Sequence, residues 1–147
     1  MPKPFRFSLQ KVLEYRGQLE DQAKIALAKA QHAHREQTRA VESLDKALAA
    51  HLETMASAGE QTAAGIWLSR NYAKRLTGDL YLARQAEARL ARDVQERRAE
   101  LAERAKERKL LEKLKETQSI RHEREESRKE QSGFDEMATL RYQAPAL

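Results

Sequence analysis

His32 and His34 form an H-x-H pair, the spacing at which a strand would offer two imidazoles to one metal ion. On a helix the same two rings point roughly 200° apart and cannot share an ion. His32 and Glu36 do share a helix face, but two ligands are too few for a metal site. Cysteine is absent, which excludes disulfides and thiolate ligands and fits a reducing cytoplasm. The abundant Glu and Arg side chains accompany no glycine-rich phosphate loop, no H-E-x-x-H and no nucleophile elbow. Acid and base groups without a concave site do not make a catalytic pair. No catalytic residue, metal or cofactor is therefore expected, and the chain is not expected to be an enzyme.

The elements that must position these residues are helices. Proline occurs only at positions 2, 4 and 145, and the residues between are mostly strong helix formers. One break stands out, Ser57-Ala58-Gly59-Glu60-Gln61-Thr62-Ala63-Ala64-Gly65, with two glycines close together. Charged residues make up 35% of the chain and aromatics 5%, the composition of a coiled coil rather than of a globular core. The pattern predicts an all-α fold, a long two-helix antiparallel coiled-coil hairpin forming one domain over residues 1–147. Helix one is expected over about 8–57, the turn over about 58–62 and helix two over about 63–131. Gly133 is expected to end helix two, leaving a flexible tail over 132–147.

Heptad rows support this reading. One row of the first helix runs Leu13, Glu20, Leu27, His34, Val41, Leu48, Met55, and its companion runs Leu9, Arg16, Ala23, Ala30, Gln37, Leu44, His51. In the second helix the rows are Ala73, Leu80, Glu87, Val94, Leu101, Arg108 and Leu76, Ala83, Leu90, Arg97, Arg104, Leu111. Folding back at the break pairs residues whose numbers add to about 120. That register sets His34 against Glu87 as a polar layer, and sets Arg16 against Arg104 and Glu20 against Leu101 near the termini. Packing is expected to weaken there, with roughly twenty residues of helix two unpaired beyond Leu111. Ser8 is expected to cap helix one, with Phe7 stapled to Val12.

Net charge is +5, from 28 Lys and Arg against 23 Asp and Glu, but the signs alternate finely. Mixed charge of this kind is a solvated helix face more often than a nucleic-acid arm. No apolar run approaches the ~20 residues needed to span a bilayer. Met1-Pro2-Lys3-Pro4-Phe5-Arg6-Phe7 lacks the apolar stretch of a signal peptide, so a cytoplasmic protein is expected. A long face of Phe, Trp and Leu suited to a membrane surface is not evident. Trp67 and Tyr72, with Ile66, Leu68 and Leu76, have two readings: a plug closing the hairpin tip, or a patch for a partner.

The opening Phe5-Arg6-Phe7-Ser8-Leu9-Gln10-Lys11-Val12-Leu13-Glu14-Tyr15-Arg16 resembles the F-x-F-x-L-x-x-V-L-x-x-R start of the flagellar export protein family FliJ. Glu130-Gln131-Ser132-Gly133-Phe134-Asp135-Glu136-Met137-Ala138 is similar to that family's closing E-Q-x-x-x-D-E-x-A. The resemblance implies a stalk-like coiled coil, similar to the gamma subunit of rotary ATP synthases, in the flagellar type III export apparatus. It implies that the paired terminal ends enter the hexameric ring of the export ATPase FliI, and that the stalk contacts the membrane export gate FlhA and escorts export chaperones. The protein would then sit peripherally at the inner face of the cell membrane through that apparatus.

Candidate ring-contact residues combine apolar and basic side chains near the termini: Leu9, Lys11, Leu13, Arg16, Arg108, Leu111 and Leu114. For the gate, the family's pattern matches Gln37, Val41, Leu44 and Leu48 on helix one and Tyr72, Leu76 and Ala83 on helix two. The alternatives are the stalk of a virulence-type III secretion ATPase, or a generic coiled-coil scaffold or nucleic-acid-binding protein.

Overall fold

The computed structural model describes residues 3–142 and consists of two α-helices. Helix α1 spans Gln10–Ser57 and α2 spans Ala63–Arg141, packed against each other as a helical hairpin. Among the described residues there is no strand. The contacts divide into two compact units. One joins Met1–Glu20 to Glu103–Leu147, and the other is Asp21–Ala102.

Within the unit Asp21–Ala102 the buried side chains are Ala23, Ala30, Leu76, Leu80, Ala83 and Val94, all on the heptad rows. Leu27, Val41, Leu44, Leu48 and Leu90 are half-buried on the same rows. Alanine at three of the six buried places leaves little side-chain bulk between the helices, so the seam is thin. Two polar contacts fix its register. Gln37 Nε2 donates to the Ala83 carbonyl at 3.0 Å, and His51 Nε2 donates to the Ser69 carbonyl at 2.8 Å. Both pairs of residue numbers add to 120, the expected register. The expected His34–Glu87 layer is not made. His34 lies in a groove with Ala91 and Val94, and no ion pair or hydrogen bond joins it to Glu87. Both side chains stay half-exposed, so neither pays the desolvation that would force them to pair.

The ends of this unit's loop have specific chemistry. Ser57 Oγ donates to the Glu53 carbonyl at 3.0 Å, occupying an acceptor in the last turn of α1. Residues 58–62 then lead to Thr62, whose Oγ1 accepts the Gly65 N–H at 3.1 Å while its carbonyl accepts the Ile66 N–H at 3.0 Å. Thr62 is thus the N-cap of α2. The tip carries no tryptophan plug. Trp67 is 65% exposed, and Ile66 and Leu68 are exposed beside it.

In the other unit, α1 starts two residues beyond Ser8. The Phe7 carbonyl accepts the Gln10 N–H at 3.1 Å and the Leu9 carbonyl accepts the Leu13 N–H at 2.9 Å, with no hydrogen bond from the Ser8 side chain. Phe7 is buried while Val12 is exposed. Residues 3–7 are not helical, yet they are not loose. The Lys3 carbonyl accepts from His122 Nε2 at 2.7 Å, and the Phe5 ring packs at 5.8 Å on the His122 ring. The stretch of α2 beyond Leu111 that the sequence leaves unpaired is therefore covered as far as His122.

The expected end of helix two at Gly133 is also corrected. α2 continues through Gly133 to Arg141, and no glycine adopts a positive φ. One glycine inside a helix costs about 1 kcal/mol, which the helix formers Glu136, Met137, Ala138 and Leu140 on its far side offset. The remainder of the expected tail, 143–147, lies outside the described residues.

Two substitutions test these assignments. Thr62→Ala should lower stability by about 1 kcal/mol through loss of the cap, measured by urea unfolding. Gly133→Ala, whose new Cβ meets nothing within 4 Å, should strengthen helix 134–141 and slow its amide exchange. Faster exchange in that variant would place a left-handed helix end at Gly133.

Candidate functional site

The two candidate sets fall in different units. The seven ring-contact candidates belong to the unit of Met1–Glu20 and Glu103–Leu147, and the seven gate candidates to Asp21–Ala102.

In the first set, Leu9, Lys11 and Leu114 are exposed, and Leu13 and Leu111 are half-buried. Leu13 lines an open groove of about 400 Å³ with Phe5, Glu112, Lys115, Glu116, Ser119 and Ile120. Arg16 and Arg108 are committed to ion pairs. Arg16 Nη1 meets Glu107 Oε2 at 2.9 Å, and Arg104 Nη1 reaches the same oxygen at 3.5 Å. The expected Arg16–Arg104 clash is thus resolved by a shared acid. Glu20 does not face leucine as a lone charge. Its carboxylate, only 8% exposed, accepts from Arg108 Nε, and Arg108 Nη1 also meets Glu112 Oε1 at 2.7 Å. The hydrogen bond to Glu20, then that to Glu112, holds the Arg108 pKa above its ordinary value. Arg108 therefore stays charged across any working pH.

Lys115 Nζ donates to Gln10 Oε1 at 2.8 Å. The paired numbers Arg16–Glu107 and Gln10–Lys115 add to 123 and 125, so this unit's register differs by about one helical turn from the 120 assumed. The one expected like-charge pair, Arg16 with Arg104, is bridged by Glu107, which lies one turn along α2 from Arg104. The signal was present in Glu107 and Lys115, each able to reach a complementary side chain once the register moves. Missed as well was His122, which ties Lys3 and Phe5 to α2, while Phe7 is buried in the same unit.

The gate candidates separate by depth. Leu76 and Ala83 are buried, while Val41, Leu44 and Leu48 are half-buried on the facing row. Gln37 is spent on the Ala83 carbonyl. Tyr72 is exposed, with His51 set edge-on to its ring at 4.7 Å. Six of the seven are thus seam residues, of which Gln37, Val41, Leu44 and Leu48 keep an accessible outer edge, and Tyr72 is the member that projects. Among the described residues, no group of three or more His, Cys, Asp or Glu is placed to hold a metal ion. Among those residues, no helix is long and apolar enough to cross a membrane.

A two-helix hairpin with heptad seams, polar inter-helix ties and open grooves defines a coiled-coil protein that works through its surfaces. The sequence profile described as Flagellar FliJ protein matches residues 5–146, and the chain belongs to the FliJ family. It is a flagellar export-related protein. No curated protein and no solved structure matches it.

The Glu20–Arg108 pair gives a direct test of what the polar ties contribute. Arg108→Leu alone should lower the thermal midpoint, because it strips a major partner from a buried carboxylate. Adding Glu20→Leu should restore or exceed the original midpoint, since the buried charge is then gone. A double variant less stable than Arg108→Leu would show that Glu20 is held chiefly by other groups.

Proposed function

We propose that this protein is the stalk-like component that couples the flagellar export ATPase FliI to the export gate FlhA, with export chaperones as further cargo-side partners. The observation that carries the reading is the family match over nearly the whole chain, joined to the split of the two candidate sets between separate units. The terminal unit would engage the FliI ring, biasing subunit states through unequal contacts; such bias needs only a difference in affinity between those states. The Asp21–Ala102 unit would meet the gate, with Tyr72 as its projecting anchor and the outer edges of Gln37, Val41, Leu44 and Leu48 around it. The protein would then be peripheral to the cell membrane through these partners.

Within the terminal set the accessible residues are the ones to bet on. Leu9 and Leu114 offer apolar surface, and Lys11 supplies an exposed cation with no ion pair among the described residues. Arg16 and Arg108 act first on the hairpin itself, by holding Glu107 and Glu20. Positive charge near the apolar contact would speed docking to an acidic ring lumen.

The experiment is an ATPase assay of FliI with and without the full-length protein. Stimulation is expected, and Leu9→Ser, Lys11→Glu and Leu114→Ser together should reduce it at least tenfold in apparent affinity while helix content is unchanged. Tyr72→Ala should leave stimulation intact and weaken binding to the cytoplasmic part of FlhA. Full stimulation by the triple variant would show that the ring is engaged elsewhere.

A further inference from the structure

The buried residues Leu76, Leu80, Ala83 and Val94 define the seam side of α2. At 100° per residue, the opposite side carries Trp67, Lys74, Gly78, Tyr81, Gln85 and Arg92, flanked by Arg70, Leu82 and Arg89. Between Gly65 and Arg92 the acidic residues are Asp79 and Glu87. Glu87 lies on the seam row and is half-buried, and Asp79 is about 120° round from Trp67. The outward face is therefore free of acid. Arg70, Lys74, Arg89 and Arg92 are all exposed, and none makes an ion pair or hydrogen bond among the described residues. Arg84, which does pair with Asp45 at 3.6 Å, lies off this face.

Alongside these cations stand Trp67, Tyr81 and Leu82, each more than 60% exposed; Leu68 lies about 100° round from Trp67, on the side of Asp79. The Tyr81 hydroxyl accepts from Gln85 Nε2 at 2.7 Å, and Leu82, Gln85, Ala88, Arg89 and Arg92 line a shallow open trough. Elsewhere on the chain the signs alternate finely, whereas residues 61–78 carry no acid at all, a local departure.

We propose that the outward face of α2 between Trp67 and Arg92 binds, reversibly and in plane, the anionic headgroup layer of a lipid bilayer. Tryptophan and tyrosine favour the interface between headgroups and acyl chains, and arginine and lysine beside them keep their charge near lipid phosphate. Each such cation strengthens binding to an anionic surface by roughly fivefold or more, so four together give a measurable, salt-sensitive attraction. A nucleic acid would reward the cations and rings but offers nothing to Leu82. A grooved protein partner would need a continuous stripe of anchors at helical spacing. Here Trp67 and the Tyr81–Leu82 pair lie about four turns apart, with Arg70, Lys74 and Gly78 between them. A fluid headgroup layer accepts that discontinuity.

Trp67 is the chain's single tryptophan, so its emission reports this face alone. Full-length protein is mixed with vesicles of phosphatidylcholine alone, or of phosphatidylcholine with phosphatidylglycerol, at about 0.1 M salt and again at about 0.5 M. A blue shift and co-sedimentation are expected only with the anionic vesicles and should fade at the higher salt. Arg70→Glu with Lys74→Glu should lower vesicle affinity at least tenfold, and Arg89→Gln with Arg92→Gln should do so more mildly without introducing acid. Lys29→Glu with Lys46→Glu, an equal charge change on α1, should bind nearly as the parent does. Helix content by circular dichroism is checked for each variant, and the milder pair decides if the reversal pair unfolds. No shift with anionic vesicles overturns the proposal, as does an equal shift with neutral ones. An equal shift with duplex DNA or polyglutamate assigns the face to polyanions or acidic proteins instead, and equal loss in the Lys29 and Lys46 variant removes the face from the argument.

Discussion

Two helices lying side by side can hide only one stripe of each from water. Every other feature of this protein follows from that limit. The buried apolar side chains are few, three of them are alanine, and none is fully sealed. Hydrophobic burial is therefore thin along the seam, and register cannot be dictated by large interlocking side chains alone. Polar contacts supply what is missing. Gln37 and His51 reach backbone carbonyls of α2, while Arg16, Glu20 and Gln10 reach side chains on it. The Gln37 and His51 contacts to backbone carbonyls are satisfied in one alignment, and a slip by one residue would leave each facing the wrong group.

The same thinness explains why the molecule has surfaces and no interior. Its grooves are open troughs between side chains, such as those at His34 and Leu13. A partner can read both helices at once across the seam, because seam residues keep an accessible edge. For Leu44 and Leu48, coiled-coil packing and a contact role are thus compatible, whereas buried Leu76 and Ala83 act mainly by holding α1 in place. Membership of the FliJ family gives this surface-bound chemistry its setting in flagellar export.

Much of the fold was legible because helical periodicity is a repeated signal. The absence of internal proline, the single glycine-marked break and the heptad rows led to the hairpin, and the register near Gln37 and His51 was correct. Near the termini the signal was ambiguous, because long charged side chains span a full turn and tolerate more than one alignment. Moving the register by about one turn converted Arg16 against Arg104 into Arg16 against Glu107. Residues 3–7 were invisible to periodicity, since they follow no helical repeat and their contacts depend on His122 far along the chain. Gly133 misled in the opposite direction. A glycine can end a helix only if the backbone turns left-handed there, and propensity alone does not say whether it will. The gate candidates came from family likeness and the ring candidates from apolar and basic residues near the termini, and their division by exposure became visible only in three dimensions.

The terminal tie between Lys3 and His122 also sets an order of assembly. Its partners are 119 residues apart, whereas His51 and Ser69 are separated by 18. Closing the longer loop from an open chain costs more entropy, so contacts beside the turn form first and shorten the path for those that follow. On the ribosome, Phe7 is made more than a hundred residues before the stretch of α2 that holds its segment. That segment must wait through the synthesis of all the intervening chain with its aromatics in water. In the finished protein the reverse sequence applies: the ends are released first and at least cost, so the hairpin loosens from its termini while the turn stays closed.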